Sequence, residues 1–142
     1  MNIEIEELEC NDIEQYKYLM DNCFGNSNDL EYYEKNYNKN DNYIILVAKD
    51  NDKIIGSITL YKIELFTFSF QPAIEIFNVA VLKEYRRKNI AKTLMKYAIE
   101  YAKNNKFKSI YLTCLDTAYD AHKLYESVGL KKMFSNKYSI LL

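Results

Sequence analysis

The nine residues Ala73 to Val81, AIEIFNVAV, are too apolar to lie on a surface, and they lead directly into a basic turn and an amphipathic helix. Such a run reads as a central strand buried on both faces of a sheet. The turn, Glu84 to Lys88, carries Arg86, Arg87 and Lys88. The spacing of Ile90, Leu94, Tyr97, Ala98 and Tyr101 then predicts a helix from about Asn89 to Asn104, packed on the sheet. A buried strand that turns straight into such a helix commits the chain to layered α/β architecture.

That junction has a chemical consequence. The first turn of a helix has amides with no internal partner, and the helix dipole adds positive potential there. A pyrophosphate suits such an end. Phosphate loops usually lean on glycine, and none stands between Val81 and Ala91. Glycine is needed only where φ is positive or where a ligand presses on the backbone. Asn is the next-best residue in the left-handed region, so Asn89 can take that place, and Ala91 is small enough for close approach. A helix start with a solvated basic face is the plain alternative.

The remaining pattern extends the sheet. IEIEEL alternates as a short strand, and Asn11 or Asp12 can cap a helix whose apolar face is Ile13, Tyr16, Met20 and Cys23. Ser27 can cap a second helix carrying Leu30, Tyr33 and Tyr37. Two strands flank a turn at Asp50 to Asp52. Ser109 to Leu115 reads as a further buried strand, YDAHKLYESVG as a short helix closed by Gly129, and MFSNKYSILL as a last strand. One proline and three glycines leave no convincing linker, so residues 1–142 read as a single domain.

Charge is unevenly placed. Met1 to Asp41 holds eleven acids against three bases, whereas Val81 to Lys96 holds six bases and one acid. An acidic front and a basic middle suit two differently charged partners, or two solvated faces. The net charge of −1 argues against a nucleic-acid binder. No apolar run approaches membrane-spanning length, and the acidic start is unlike a signal peptide. Cys10, Cys23 and Cys114, odd in number and far apart, read as reduced thiols in a cytoplasmic protein. With His122 the only histidine, a His-based metal centre is nearly excluded.

The segment VAVLKEYRRKNIAKTLM resembles the acetyl-CoA motif of the GNAT superfamily of N-acetyltransferases, standing here as Arg86-Arg87-Lys88-Asn89-Ile90-Ala91. AYDAHKLYESVGL resembles that family's second motif, at Ala121, Leu124, Tyr125, Gly129 and Leu130. Two motifs in order, with a strand between, are more specific than either alone. Two positions depart from the pattern: the middle glycine is Asn89, and an Asn frequent at the start of the second motif is Ala118.

The resemblance implies a mixed α/β sandwich, with a central mixed sheet, helices on both faces and splayed central parallel strands. It implies acetyl-CoA as cosubstrate and no metal. The pantetheine arm would lie along Val79, Ala80 and Val81, and the pyrophosphate on Arg86, Arg87, Lys88, Asn89, Ile90, Ala91 and Lys92. Tyr125 would protonate the departing thiolate. Glu75 resembles the general base of some members, and equally reads as a strand Glu facing Lys62 or solvent. Cys114 reads as a small hydrophobe, with a ping-pong role the minor alternative. The implied function is acetyl transfer to an amine by direct attack in a ternary complex. The acidic front suits a cationic acceptor: a small molecule, or a Lys or N-terminal amine of a protein. A catalytically silent coenzyme A sensor is the rival class. No nucleic acid or membrane partner is expected, and a homodimer is compatible with the sequence.

Overall fold

The computed structural model describes residues 1–25 and 28–142. Strand β1 (Ile3–Glu7) is followed by helices α1 (Ile13–Phe24) and α2 (Leu30–Asn36), then by strands β2 (Tyr43–Asp50), β3 (Lys53–Ile63) and β4 (Ala73–Val81). Helix α3 (Ile90–Asn104) crosses over to β5 (Ser109–Tyr111), and α4 (Tyr119–Ser127) comes last. The sheet order is β1-β2-β3-β4-β5, antiparallel as far as β4, with β5 parallel to β4. The crossover through α3 is what a parallel neighbour requires.

Each face of the sheet carries its own core. On one side Ile90, Leu94, Met95, Ala98 and Ala102 of α3 pack on Leu46, Ile55, Ile58, Leu60, Ile74 and Ile76. On the other, Ile13, Tyr16, Leu19 and Met20 of α1, with Tyr33 of α2, pack on Ile45, Val47, Ile54 and Ala80. Leu94 and Leu19 are fully buried, each worth about 1.5–3 kcal/mol of apolar transfer. Gly56 on β3 lies where strands and α3 meet: an added Cβ would stand 3.0 Å from the Ala80 carbonyl oxygen and 3.1 Å from an Ile90 methyl.

Several expectations need correction. β4 is not buried on both faces throughout, because Phe77 and Asn78 are exposed. Tyr97 is exposed on the outer side of α3. The strand expected over Ser109 to Leu115 ends at Tyr111 and is not buried: Ser109 and Tyr111 are exposed and only Ile110 is partly covered. The last strand is absent: residues 131–142 have no regular structure and every one is exposed. A strand needs a partner, and these residues pair with none, although β5 leaves its outer edge open. The Ser27 cap lies outside the described residues; Asp29 occupies the N-cap position of α2. Gly129, at φ 101°, closes α4, with Leu130 N–H donating to the Tyr125 carbonyl at 3.0 Å.

The α1-side core contains a titratable tyrosine. Burial pushes the Tyr16 hydroxyl up from 10.0 to about 12. A raised tyrosine pKa favours the folded state below pH 10, and that advantage disappears as pH climbs from 10 through 12. Urea unfolding at pH 9 and 11.5 should show a loss on the order of 2 kcal/mol in the wild type beyond that of Tyr16→Phe. Equal losses in the two proteins would mean that Tyr16 ionises freely in the fold.

Candidate active site

The site begins with a fault in β4. Ser57 of β3 pairs with Ala80, but Thr59 pairs with Phe77, so β4 has an extra residue at Asn78 and Val79. Asn78 sits at φ 55° to accommodate it. This bulge reverses the alternation of the strand. Before it, Ile74 and Ile76 face the α3 core. After it, Val79 and Val81 pack against that core, while Ala80 enters the α1 core.

Beyond the bulge β4 has an open flank. β5 pairs with it only at Ala73, Ile74 and Glu75. From Ile76 to Val81 no strand covers that side among the described residues, as the expected splay requires. Leu82 N–H donates to the Ile55 carbonyl of β3 at 2.9 Å. Because successive residues point their amides to opposite sides, the Val81 backbone faces the slot. Its carbonyl accepts from Arg86 Nε at 3.1 Å.

At the top of the slot lies the turn without glycine. Arg87 has φ 62° and Asn89 has φ 63°, both left-handed. Two non-glycine residues thus take the conformation usually left to glycine, one of them foreseeable from its side chain. Asn89 is the N-cap of α3 but makes no side-chain cap bond. The first intrahelical bond is Thr93 N–H to the Asn89 carbonyl, 2.9 Å, so the amides of Ile90, Ala91 and Lys92 precede the ladder. Arg86, Arg87 and Lys88 are exposed around them, and Lys88 Nζ lies 5.4 Å from the Tyr85 ring centre.

The two candidate catalytic groups lie on opposite faces. Tyr125, half-buried on α4, packs against the α3-side core. Burial, and then the neighbouring Cys114, hold its hydroxyl above the usual tyrosine range, so it stays protonated at neutral pH. His122 is partly covered and lies 3.0 Å through Nε2 from the Leu115 carbonyl oxygen, near Cys114. Glu75 pairs in register with Tyr61 rather than Lys62. Its position between Ile74 and Ile76 turns it to the face away from α3.

There Glu75 lines an open cleft of about 1090 Å³ with Asp41, Glu64, Tyr61, Phe77 and Asn78. Three carboxylates thus stand in the cleft against one cation, Lys62. Tyr61 and Phe77 meet edge to face at 5.2 Å. Sequence reasoning missed Asp41, Glu64, Tyr61 and Phe77 as a group, since only the folded strands and the loops beside them collect them. Among the described residues no group of three or more His, Cys, Asp or Glu is placed to hold a metal, and no helix is long and apolar enough to cross a membrane.

Residues 13–130 match the model of the acetyltransferase (GNAT) family. An uncharacterized N-acetyltransferase of Archaeoglobus fulgidus is 28% identical over 120 residues, 84% of this chain and 82% of that protein. N-acetylaspartate synthetase of Xenopus tropicalis is 32% identical over 103 residues, 72% of this chain but 36% of that protein. The chain likewise spans just over a third of several other curated relatives. Among solved structures, AAC(6')-Iy in complex with the bisubstrate analogue CoA-S-monomethyl-acetylneamine has a TM-score of 0.85 at 12% identity, the alignment spanning 100% of this chain and 99% of that one.

The backbone at Asn89 yields a stability test. Asn89→Gly should be neutral or slightly stabilising, since glycine carries no Cβ penalty there. Asn89→Val should cost about 1–2 kcal/mol, because a β-branched residue is strained at positive φ. Urea midpoints measure both, and equal midpoints would show that the turn relaxes around residue 89.

Proposed function

We propose that this chain, which belongs to the acetyltransferase (GNAT) family, passes an acetyl group from acetyl-CoA to a primary amine of a cationic acceptor by direct attack in a ternary complex. The observation that carries the reading is the slot along β4, with a basic, amide-rich turn above it and an acidic cleft beside it. The coenzyme A portion of the analogue bound by AAC(6')-Iy supports acetyl-CoA as the donor.

In this reading the amides of Ile90, Ala91 and Lys92 take the pyrophosphate, aided by Arg86, Arg87 and Lys88. The exposed flank of Val79 to Val81 pairs with the pantetheine arm as a neighbouring strand would. The Val79 amide holds the oxyanion of the tetrahedral intermediate. The acceptor ammonium enters between Asp41, Glu64 and Glu75 and against the rings of Tyr61 and Phe77, which favour a cation. Glu75 takes its proton directly or through water, since a protonated nitrogen cannot attack a carbonyl. The amine bonds to the acetyl carbon, the carbon–sulfur bond breaks, and Tyr125 protonates the leaving thiolate from the opposite face. Small polyamines, aminoglycoside-like amines and protein amines all present that ammonium.

The first test is binding and turnover. Acetyl-CoA should raise the melting temperature by mass action, and turnover with an amine panel separates an enzyme from a coenzyme A sensor. An unmoved melting curve with no calorimetric heat at millimolar acetyl-CoA would sink the proposal.

Tyr125→Phe removes only the hydroxyl. It should lower kcat by roughly 10²-fold with acetyl-CoA affinity little changed. Wild-type kcat, measured where chemistry limits the rate, would return Tyr125 to the core. Glu75→Gln should lose the low-pH limb of kcat/KM and recover at high pH, where the amine deprotonates unaided. An unaltered limb and rate would make Glu75 structural.

A further inference from the structure

Beside Tyr125 stands a pair of side chains that the proposed transfer does not use. β5 pairs with β4 only as far as Tyr111, and the chain that follows, Leu112 to Leu115, leads to α4 without joining the ladder. Cys114 lies on that segment and His122 on α4. The Cys114 Sγ is 3.8 Å from both ring nitrogens of His122. His122 Nε2 is 3.0 Å from the Leu115 carbonyl oxygen. A carbonyl only accepts, so Nε2 carries the ring proton and Nδ1 is the free base beside the thiol. Both residues are half-buried, open enough to be reached.

Three thiols are free, and this one is set apart. Cys10 is exposed and reaches only its neighbour Asn11. Cys23, on α1, donates to the Val81 carbonyl at 3.5 Å. Only Cys114 stands beside the single histidine. It also neighbours Tyr125, the group that the proposed function sets against the coenzyme sulfur. A protein sulfur and a coenzyme sulfur then share one neighbour. Attack of a thiol on a disulfide needs deprotonation and access, and this corner supplies both.

We infer that Cys114 is a modification site for the disulfide of coenzyme A, which forms a mixed disulfide there and closes the slot to acetyl-CoA. The inference rests on the reading that coenzyme A lies in the slot. One half of the disulfide sits as acetyl-CoA would, its pyrophosphate on the turn of Arg86 to Lys88. His122 Nδ1 takes the proton from Cys114, Sγ attacks the nearer coenzyme sulfur, and the sulfur–sulfur bond breaks. The other half departs as a thiolate and takes that proton from His122. One disulfide is consumed and one is formed, so no further oxidant enters. A thiol reductant reverses the step by the same exchange. Because the slot holds the reacting half near the thiol, the local concentration of this disulfide exceeds that of one without an adenosine diphosphate end.

The test incubates the reduced full chain with coenzyme A disulfide or with glutathione disulfide, and reads intact mass and peptide maps. The expected product is a single coenzyme A adduct on Cys114, formed at least about tenfold faster than the glutathione adduct and slowed by excess acetyl-CoA. The double variant Cys10→Ser with Cys23→Ser should keep it. Cys114→Ser should lose it and still gain melting temperature with acetyl-CoA. His122→Asn should slow it by about 10- to 30-fold at pH 7, where an unaided thiol is mostly protonated. The modified wild type should no longer respond to acetyl-CoA in Tm until dithiothreitol removes the adduct. An adduct on Cys10 or Cys23 instead, one that glutathione disulfide forms as fast, or one that His122→Asn does not slow overturns the inference. If acetyl-CoA raises Tm and no adduct forms, the inference alone fails. If acetyl-CoA leaves Tm unmoved, it falls together with the reading on which it rests.

Discussion

Backbone polar groups must find partners, and in this molecule β4 is the strand that breaks the rule. It is paired along its whole length with β3 but for only three residues with β5. The groups left facing the slot are costly unless water or a ligand meets them. Nearly every other feature of the site follows from where that flank lies. The bulge at Asn78 ends the first register, sends Val79 and Val81 to one core and Ala80 to the other, and delivers the chain to the turn that opens α3. A strand with uninterrupted alternation would bury the opposite set of side chains.

The slot also separates charges that would otherwise cancel. Arg86, Arg87 and Lys88 gather at its top, whereas Asp41, Glu64 and Glu75 line the cleft. A nearly neutral chain thereby holds a positive and a negative zone at once. Tyr125 belongs to neither. It sits against the apolar α3-side core, where burial keeps its proton on. The proposed proton acceptor and donor are thus divided by the sheet.

What was legible in the sequence was what short range decides. The period of α3, the β2–β3 turn, the left-handed role of Asn89 and the Gly129 cap each rest on a few adjacent residues, and each is found in place. The two motifs that resemble the family's were readable for the same reason, and the family is the one that residues 13–130 match. Other features depend on partners distant in the chain. Nothing within AIEIFNVAV marks Asn78 as a bulge, since the mismatch exists only against β3. SIYLTCL has the composition of a long strand but obtains only three pairings. MFSNKYSILL has the composition of a strand but pairs with no other strand. The carboxylate-lined cleft was equally invisible, because Asp41, Glu64 and Glu75 come from two loops and a strand that only the fold brings to one cleft.

Gly56 sets β3, β4 and the first turn of α3 at contact distance, with Leu94 fully buried beside it. α4 is different in kind, a nine-residue helix without a fully buried side chain. Local opening is easiest where buried apolar contact is least. The molecule is therefore mechanically graded across the slot, stiff where a cosubstrate would be gripped and compliant where Tyr125 is carried. The sheet side of the slot is the packed side, and α4 is the wall with least buried apolar contact.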